Sequence, residues 1–87
     1  MRPDPDRIDD AVLALLHLTS FREHKDELPR AWKGHDWDAL GRLHAKGYIS
    51  DPVGKAKSVV LTEVGARRAE ELFRRLFSDL RRPPATI

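Results

Sequence analysis

The side chains with the chemistry for catalysis or metal binding are four histidines and one pair of adjacent aspartates, Asp9 and Asp10. No two histidines stand three or four residues apart, so no helix face presents two of them as metal ligands. Adjacent aspartates point to different sides of a helix, and its dipole favours carboxylates in the first turn, so we expect Asp9 and Asp10 to stabilise a helix start. GxGxxG, Walker and GxSxG patterns are absent. We therefore expect no enzyme activity, no metal and no cofactor.

Phosphate binding by basic side chains is the other candidate chemistry. The formal net charge is only +2, but a DNA-binding protein needs a local basic patch rather than a high total charge. Arg42 could make a bidentate contact with guanine, and lysines can bind phosphates. Asp36 and Asp38 lie at the start of the same predicted helix as Arg42 and would repel phosphate, which favours protein binding instead. The predicted DNA contacts are Lys33, Arg42, Lys46, Lys55 and Lys57.

The first half of the chain is predicted to form two helices. Asp6 is expected to cap a first helix that runs to about Phe21 and is buried from more than one side. A charged connector follows, and residues 29–34 predict a very short second helix, because proline is well placed at a first helical position. Trp32 and Trp37 then bracket the corner to the third helix, where we expect them to pack; the alternative is that they stack on a ligand.

The second half predicts a helix, a hairpin and a last helix. Asp36 is expected to cap the third helix, and Gly47 to end it with positive φ. Residues 48–49 and 58–61 predict two paired strands, joined by turn residues and a basic tip that carries Lys55 and Lys57. Thr62 is the expected cap of the last helix. Five apolar residues are predicted to be buried together: Leu15, Leu43, Ile49, Leu61 and Leu72.

The last predicted helix, from about residue 63 to residue 80, carries an apolar stripe that is longer than a small domain can cover. Leu13 falls outside the apolar arc of the first helix and is grouped with this stripe. An uncovered apolar stripe favours association with a second chain. The sequence therefore predicts a homodimer, with an interface of Leu13, Phe73, Leu76, Phe77 and Leu80.

Residues 37–65 carry a resemblance to known families. LGRLHAKGYI followed by SVVLTEVG resembles the helix–wing–helix signature of bacterial MarR-like and PadR-like repressors, in which a helix ends in Lys-Gly and the second wing strand ends in Leu-Thr-x-x-Gly. This resemblance implies a winged helix-turn-helix fold, dimerisation through the terminal helices, a reading helix with Arg42, and a wing with Lys55 and Lys57. RAWKGHDWDAL with DPVGKAKSVVLTEVG is also similar to a family of short bacterial proteins with a domain of unknown function.

Length and composition indicate one small domain. The 87 residues include no cysteine, and the chain has no apolar run near the roughly 20 residues of a membrane span and no signal-peptide core. We expect a cytoplasmic, mostly α-helical α+β protein with a flexible lead (1–5), a winged-helix domain (6–80) and a flexible tail (81–87). Our first hypothesis is a DNA-binding transcriptional regulator or accessory factor. The alternative is a winged-helix module that binds only protein.

Overall fold

The computed structural model describes residues 1–79. Along this range the chain forms α1 (Pro5–Leu18), β1 (Arg30–Trp32), α2 (Trp37–Ala45), β2 (Ser58–Val60) and α3 (Glu63–Phe77). The two strands pair in one antiparallel sheet. The predicted α+β, mostly helical class is thus confirmed. Leu80 and the predicted tail, residues 81–87, lie outside the described residues. No helix within residues 1–79 is both long and apolar enough to cross a membrane.

Short polar side chains fix where the helices begin. Asp36 caps α2 by accepting a hydrogen bond from the Ala39 backbone N–H at 3.0 Å, and Thr62 caps α3, as predicted. The predicted cap of α1 was wrong, because Asp4, not Asp6, accepts the backbone N–H in that position. Pro5 then occupies the first turn, where its missing N–H costs nothing. Helix α1 therefore begins inside the segment that was expected to be a flexible lead.

The prediction of a second helix at residues 29–34 was wrong, since β1 occupies this segment. Arg30, Ala31 and Trp32 lie opposite Val60, Val59 and Ser58. A helix of little more than one turn fixes several residues for very few hydrogen bonds. As a strand, the segment pairs with β2 on one side, and the Arg30 backbone exchanges hydrogen bonds with Phe21 on the other. Consequently no helix stands between α1 and α2 in the described chain, and the two-helix corner expected at Trp32 and Trp37 is not formed.

The predicted hairpin is present in part. Ile49 forms an isolated antiparallel bridge with Leu61, and the Ser50 N–H donates to the Val60 carbonyl at 2.9 Å. The two predicted strand segments are therefore neighbours. The full pairing partner of β2, however, is β1 on its other side. Beyond β1, Phe21 forms a further bridge with Arg30.

The hydrophobic core lies around α1, which packs against α3, α2 and β1. Leu43, Ile49, Leu61 and Leu72 are buried together as predicted, while Leu15 is only half-buried. The core also contains Leu13, which is fully buried within a single chain. Leu13 was predicted to lie in a dimer interface; that prediction was wrong, because α1 is covered on several sides by its own chain.

A tight contact joins the end of α2 to the start of α3. Thr62 donates its hydroxyl to the Gly47 carbonyl at 2.7 Å and its backbone N–H to the Tyr48 carbonyl at 3.0 Å. Gly47 has the predicted positive φ, 81°. Gly65 is required for the approach, because a Cβ there would lie 1.8 Å from the Tyr48 carbonyl oxygen. We call this contact the glycine lock (Gly47, Tyr48, Thr62, Gly65).

Candidate nucleic-acid interface

Two of the predicted DNA contacts, Arg42 and Lys46, lie one turn apart on α2 and face a buried carboxylate on α1. The Asp9 side chain is 0% exposed. Arg42 donates from Nε to both carboxylate oxygens at 2.9 Å and from its terminal nitrogen Nη2 at 2.8 Å. Lys46 Nζ donates to Asp9 Oδ2 at 2.9 Å and reaches Asp6 at 3.3 Å. We call these four residues the Asp9 cluster.

The Asp9 cluster is held together by charge. Burial by itself would raise the pKa of Asp9. The hydrogen bonds from Arg42 and Lys46, together with the charges of these two residues, lower this pKa by more than burial raises it, so the pKa of Asp9 lies below its ordinary value of 3.8. The same hydrogen bonds raise the pKa of Arg42 and Lys46. All three groups are therefore ionised near neutral pH. The expectation that Asp9 merely stabilises a helix start was wrong. Arg42, which was predicted to contact DNA, is bound to this carboxylate.

Lys33 binds the loop that links the bridge at Ile49 to β2. Its ammonium group donates to the carbonyls of Pro52 at 2.6 Å and Gly54 at 3.1 Å. It also lies 5.9 Å from the centre of the Trp37 ring, a distance at which a cation is attracted to an aromatic face. Residues 51–57, which we call the tip loop, are thereby held beside the start of α2.

Lys55 and Lys57 extend from the tip loop into solvent. Neither side chain makes a hydrogen bond or an ion pair with any other residue in the described range 1–79. The Lys33 N–H donates to the Lys57 carbonyl at 3.0 Å, which extends the β1–β2 register by one pair. Paired residues of two strands project to the same face of a sheet. Lys33 and Lys57 therefore lie on one face. Together with Trp37, whose ring lies by Lys33, and Lys55, which follows the Gly54 bound by Lys33, they make up what we call the basic tip surface, in which Lys33 is half-buried and the other three are exposed.

Acidic residues reduce the charge of the basic tip surface. Asp36 and Asp38 flank Trp37 in the sequence, and Asp51 lies at the base of the tip loop. The Asp36 carboxylate accepts the Ala39 N–H, and the Asp51 carboxylate accepts the Val53 N–H. The surface is consequently basic at its tip, with Lys55 and Lys57, and acidic at its base, where these three aspartates outnumber Lys33.

The two tryptophans lie on different surfaces. Trp37 is 54% exposed at the start of α2, and Trp32 is 57% exposed on β1. Side chains alternate along a strand, so Trp32 faces away from Lys33, and its ring lies 5.4 Å from that of Phe21. The expectation that both tryptophans pack at a corner was wrong. A ligand-stacking role for Trp37 was the less favoured interpretation of the sequence, in which Asp36 and Asp38 flank this residue and Lys33 stands four positions before it.

The family model described as "Domain of unknown function (DUF6429)" matches residues 4–79. The chain belongs to this family. An uncharacterized protein, y4hR, from Sinorhizobium fredii (strain NBRC 101917 / NGR234) is 59% identical over 78 residues, which cover 90% of this chain and 99% of that relative. No solved structure matches the chain. The predicted similarity to a family of short bacterial proteins of unknown function is confirmed.

The exposed end of α3 is the second candidate surface of this DUF6429 domain. Leu76 and Phe77 are exposed, and Phe73 is half-buried between the rings of His17, at 5.2 Å, and Phe77, at 5.7 Å. These three positions can accept a second chain, whereas Leu13 cannot. The homodimer stays a prediction.

The part of the DUF6429 domain that the structure describes contains no candidate metal site. No group of three or more histidine, cysteine, aspartate or glutamate side chains within residues 1–79 is arranged to hold an ion. The polar residues of the basic tip surface are lysines, which donate hydrogen bonds and bind anions. Phosphate is therefore the kind of ligand that suits these side chains.

Proposed function

We propose that this DUF6429 domain binds nucleic acid through its basic tip surface, and that α2 is not a base-reading helix. The observation that carries the proposal is the contrast between two sets of cations. Lys55 and Lys57 have no partner in the described chain and project from a loop, whereas Arg42 and Lys46 are bound to Asp9. Only the first set can replace the counterions of a phosphate backbone without breaking an internal contact.

The proposal treats the fold as a reduced winged helix. The order helix, strand, helix, bridge, strand, helix follows that of a winged domain, with the tip loop as its wing. The glycine lock joins the two segments that resemble MarR-like and PadR-like repressors, which supports this interpretation. A separate first helix of a helix-turn-helix pair is missing from the described residues. Contact with nucleic acid through the wing therefore fits this structure better than insertion of α2 into a DNA groove.

The few available cations limit the expected affinity. Lys55, Lys57 and the ammonium group of Lys33 give about two to three phosphate contacts per chain, so log K should fall with log salt at a slope of about −2 to −3 on duplex DNA. Non-specific binding has dissociation constants of about 10⁻⁴ to 10⁻⁶ M at physiological salt. We expect the weak end of this range, with little dependence on sequence.

Fluorescence anisotropy with a labelled random-sequence oligonucleotide at about 50 mM salt tests the proposal. Replacing Lys55 and Lys57 together by alanine should abolish binding and flatten the salt slope. The matched control replaces Arg22 and Lys25, two exposed cations of the connector between α1 and β1, and removes the same charge. Binding lost equally in both variants would show a general charge effect and refute the role of the tip. No binding by the wild type at about 100 μM protein would refute the proposal itself.

The second candidate function is a module that binds only protein. It is favoured by two exposed apolar sites in the described chain, Trp32 on β1 and the Leu76–Phe77 end of α3. Scattered apolar residues are common on protein surfaces, so the self-association test given below decides whether α3 contributes. A dimer that binds no oligonucleotide would favour this function over the first.

A further inference from the structure

We infer that the basic tip surface takes single-stranded nucleic acid, with one base stacked on Trp37 and the neighbouring phosphates bound by Lys55 and Lys57. The inference rests on the proposed function and adds the class of ligand. It depends on the exposed indole of Trp37, on the ammonium group of Lys33 beside that ring, and on Lys55 and Lys57 in the tip loop that Lys33 binds.

Trp37 provides an aromatic platform beside free cations. Its side chain is 54% exposed although it belongs to the first turn of α2, and its ring adjoins the ammonium group of Lys33 at 5.9 Å. Lys33 in turn holds the tip loop by two carbonyls, which keeps Lys55 and Lys57 on the same side of the molecule. Proteins that bind single strands combine a basic track for the backbone with exposed aromatic rings for the bases.

The state of α2 favours a single strand over a duplex. A helix that reads duplex DNA presents its N-terminal residues and free basic or amide side chains to the base edges. Here Asp36 and Asp38 occupy the start of α2, and Arg42 is bound to Asp9. A base inside a duplex is already stacked on its neighbours and cannot reach Trp37, whereas an unpaired base can.

The mixed charge of the surface points the same way. Asp36, Asp38 and Asp51 oppose the three lysines, so electrostatic attraction alone is weak. Stacking of a base on an indole does not depend on net charge and is tolerant of sequence. With two to three phosphate contacts, the salt slope on a single strand should be about −1.4 to −2.1.

The presence of only two tryptophans allows each one to be observed alone. In the Trp32→Phe variant, emission comes from Trp37, and in the Trp37→Phe variant it comes from Trp32. Each variant is titrated with unlabelled oligothymidine of about 15 nucleotides, long enough for one binding site, and with a duplex of equal length. We expect the single strand to quench Trp37 and to leave Trp32 unchanged.

Affinity measurements give an independent readout with a matched control. Trp37→Ala should weaken oligothymidine binding by about 5- to 150-fold, the range for loss of one stacked base. Trp32→Ala removes an equally exposed indole from the other face of the sheet and should leave affinity unchanged. Circular dichroism establishes that each variant is folded, and the Lys55→Ala, Lys57→Ala variant tests the same surface without touching an aromatic residue.

The outcomes separate this inference from the proposed function. Equal or tighter binding of the duplex without quenching of Trp37 overturns the single-strand inference and leaves wing-directed nucleic-acid binding standing. Equal quenching of both tryptophans also overturns it, because the ligand would then have no preferred face. Absence of binding to either oligonucleotide at about 100 μM protein refutes the inference and the proposed function together.

Discussion

Replacing Asp9 by asparagine removes the one charge that both Arg42 and Lys46 bind. A hydrogen bond to a charged group contributes about 1.5–3 kcal/mol, and Asp9 accepts from two cations, so about 3–6 kcal/mol is an upper bound. Both cationic side chains are 36% exposed and regain water when the carboxylate is lost. We therefore expect the free energy of unfolding to fall by about 2–3 kcal/mol, below the cost of stranding a fully buried charge. For a domain of this size, Tm should drop by roughly 10–20 °C.

Urea titration followed by far-ultraviolet circular dichroism measures this loss, and Asp10→Asn is the matched control. Asp10 is the next residue of α1, is half-buried and has no ion pair within residues 1–79. Its replacement should change stability by less than about 0.5 kcal/mol. Free energies for the Asp9 and Asp10 variants that agree within this margin would refute the structural role of the Asp9 cluster.

The stability difference between wild type and Asp9→Asn should depend on pH with a definite sign. Folding lowers the pKa of Asp9 below its ordinary value of 3.8, so the folded chain holds this proton less tightly than the unfolded chain. The stabilisation by the Asp9 carboxylate is therefore fully present above pH 3.8 and is lost as pH falls through the lower folded pKa. Wild type and Asp9→Asn should differ most near neutral pH and converge in acid. A difference that grows on acidification would contradict the assignment.

Three further predictions concern packing and assembly. Gly65→Ala should lower the free energy of unfolding by more than about 2 kcal/mol in urea titration, because the new Cβ would meet a backbone carbonyl. The control is Gly41→Ala on α2, where a Cβ meets nothing; this variant should be more stable than wild type by about 0.5–1 kcal/mol. Leu43→Ala should cost about 2–5 kcal/mol by the same method; a loss below about 0.5 kcal/mol would mean that α2 is not packed as described. Replacing Leu76 and Phe77 by aspartate should convert a dimer into a folded monomer in sedimentation velocity, and a monomeric wild type at tens of micromolar would remove the dimer hypothesis.

Helix caps and glycine turns, which depend on only a few neighbouring residues, were predicted well from the sequence. Asp36 and Thr62 each cap a helix by accepting a backbone N–H three residues ahead, and such a pattern is readable from the sequence alone. The positive φ of Gly47 and Gly54 follows in the same way from the freedom of glycine at turns.

Structure that depends on distant partners was not predictable in this way. Residues 30–32 form a strand because residues 58–60 pair with them, and no local pattern specifies that partner. Proline followed by apolar and basic residues suited a helix start equally well. Tertiary pairing decided between the two.

The sequence contained a pattern that indicates burial of Asp9, but the prediction gave more weight to its position in the first turn of the helix. It stands three, four and seven residues before Val12, Leu13 and Leu16, so it lies on the buried face of α1. A charged residue on such a face needs a partner of opposite charge, and Arg42 supplies it from 33 positions away. Helical spacing alone could have marked Asp9 as buried, but it could not have named the cation. The sequence alone therefore could not predict that Arg42 binds Asp9.

The residues that stabilise the domain are separate from those proposed to bind nucleic acid. The Asp9 cluster fixes α2 against α1, and the glycine lock fixes the end of α2 against the start of α3. Lys55 and Lys57 take no part in either contact and are exposed. Because exposed side chains without partners contribute little to folding, their replacement should leave the unfolding free energy within about 0.5 kcal/mol of wild type. A loss of oligonucleotide binding in that variant then reports on the basic tip surface and not on the fold.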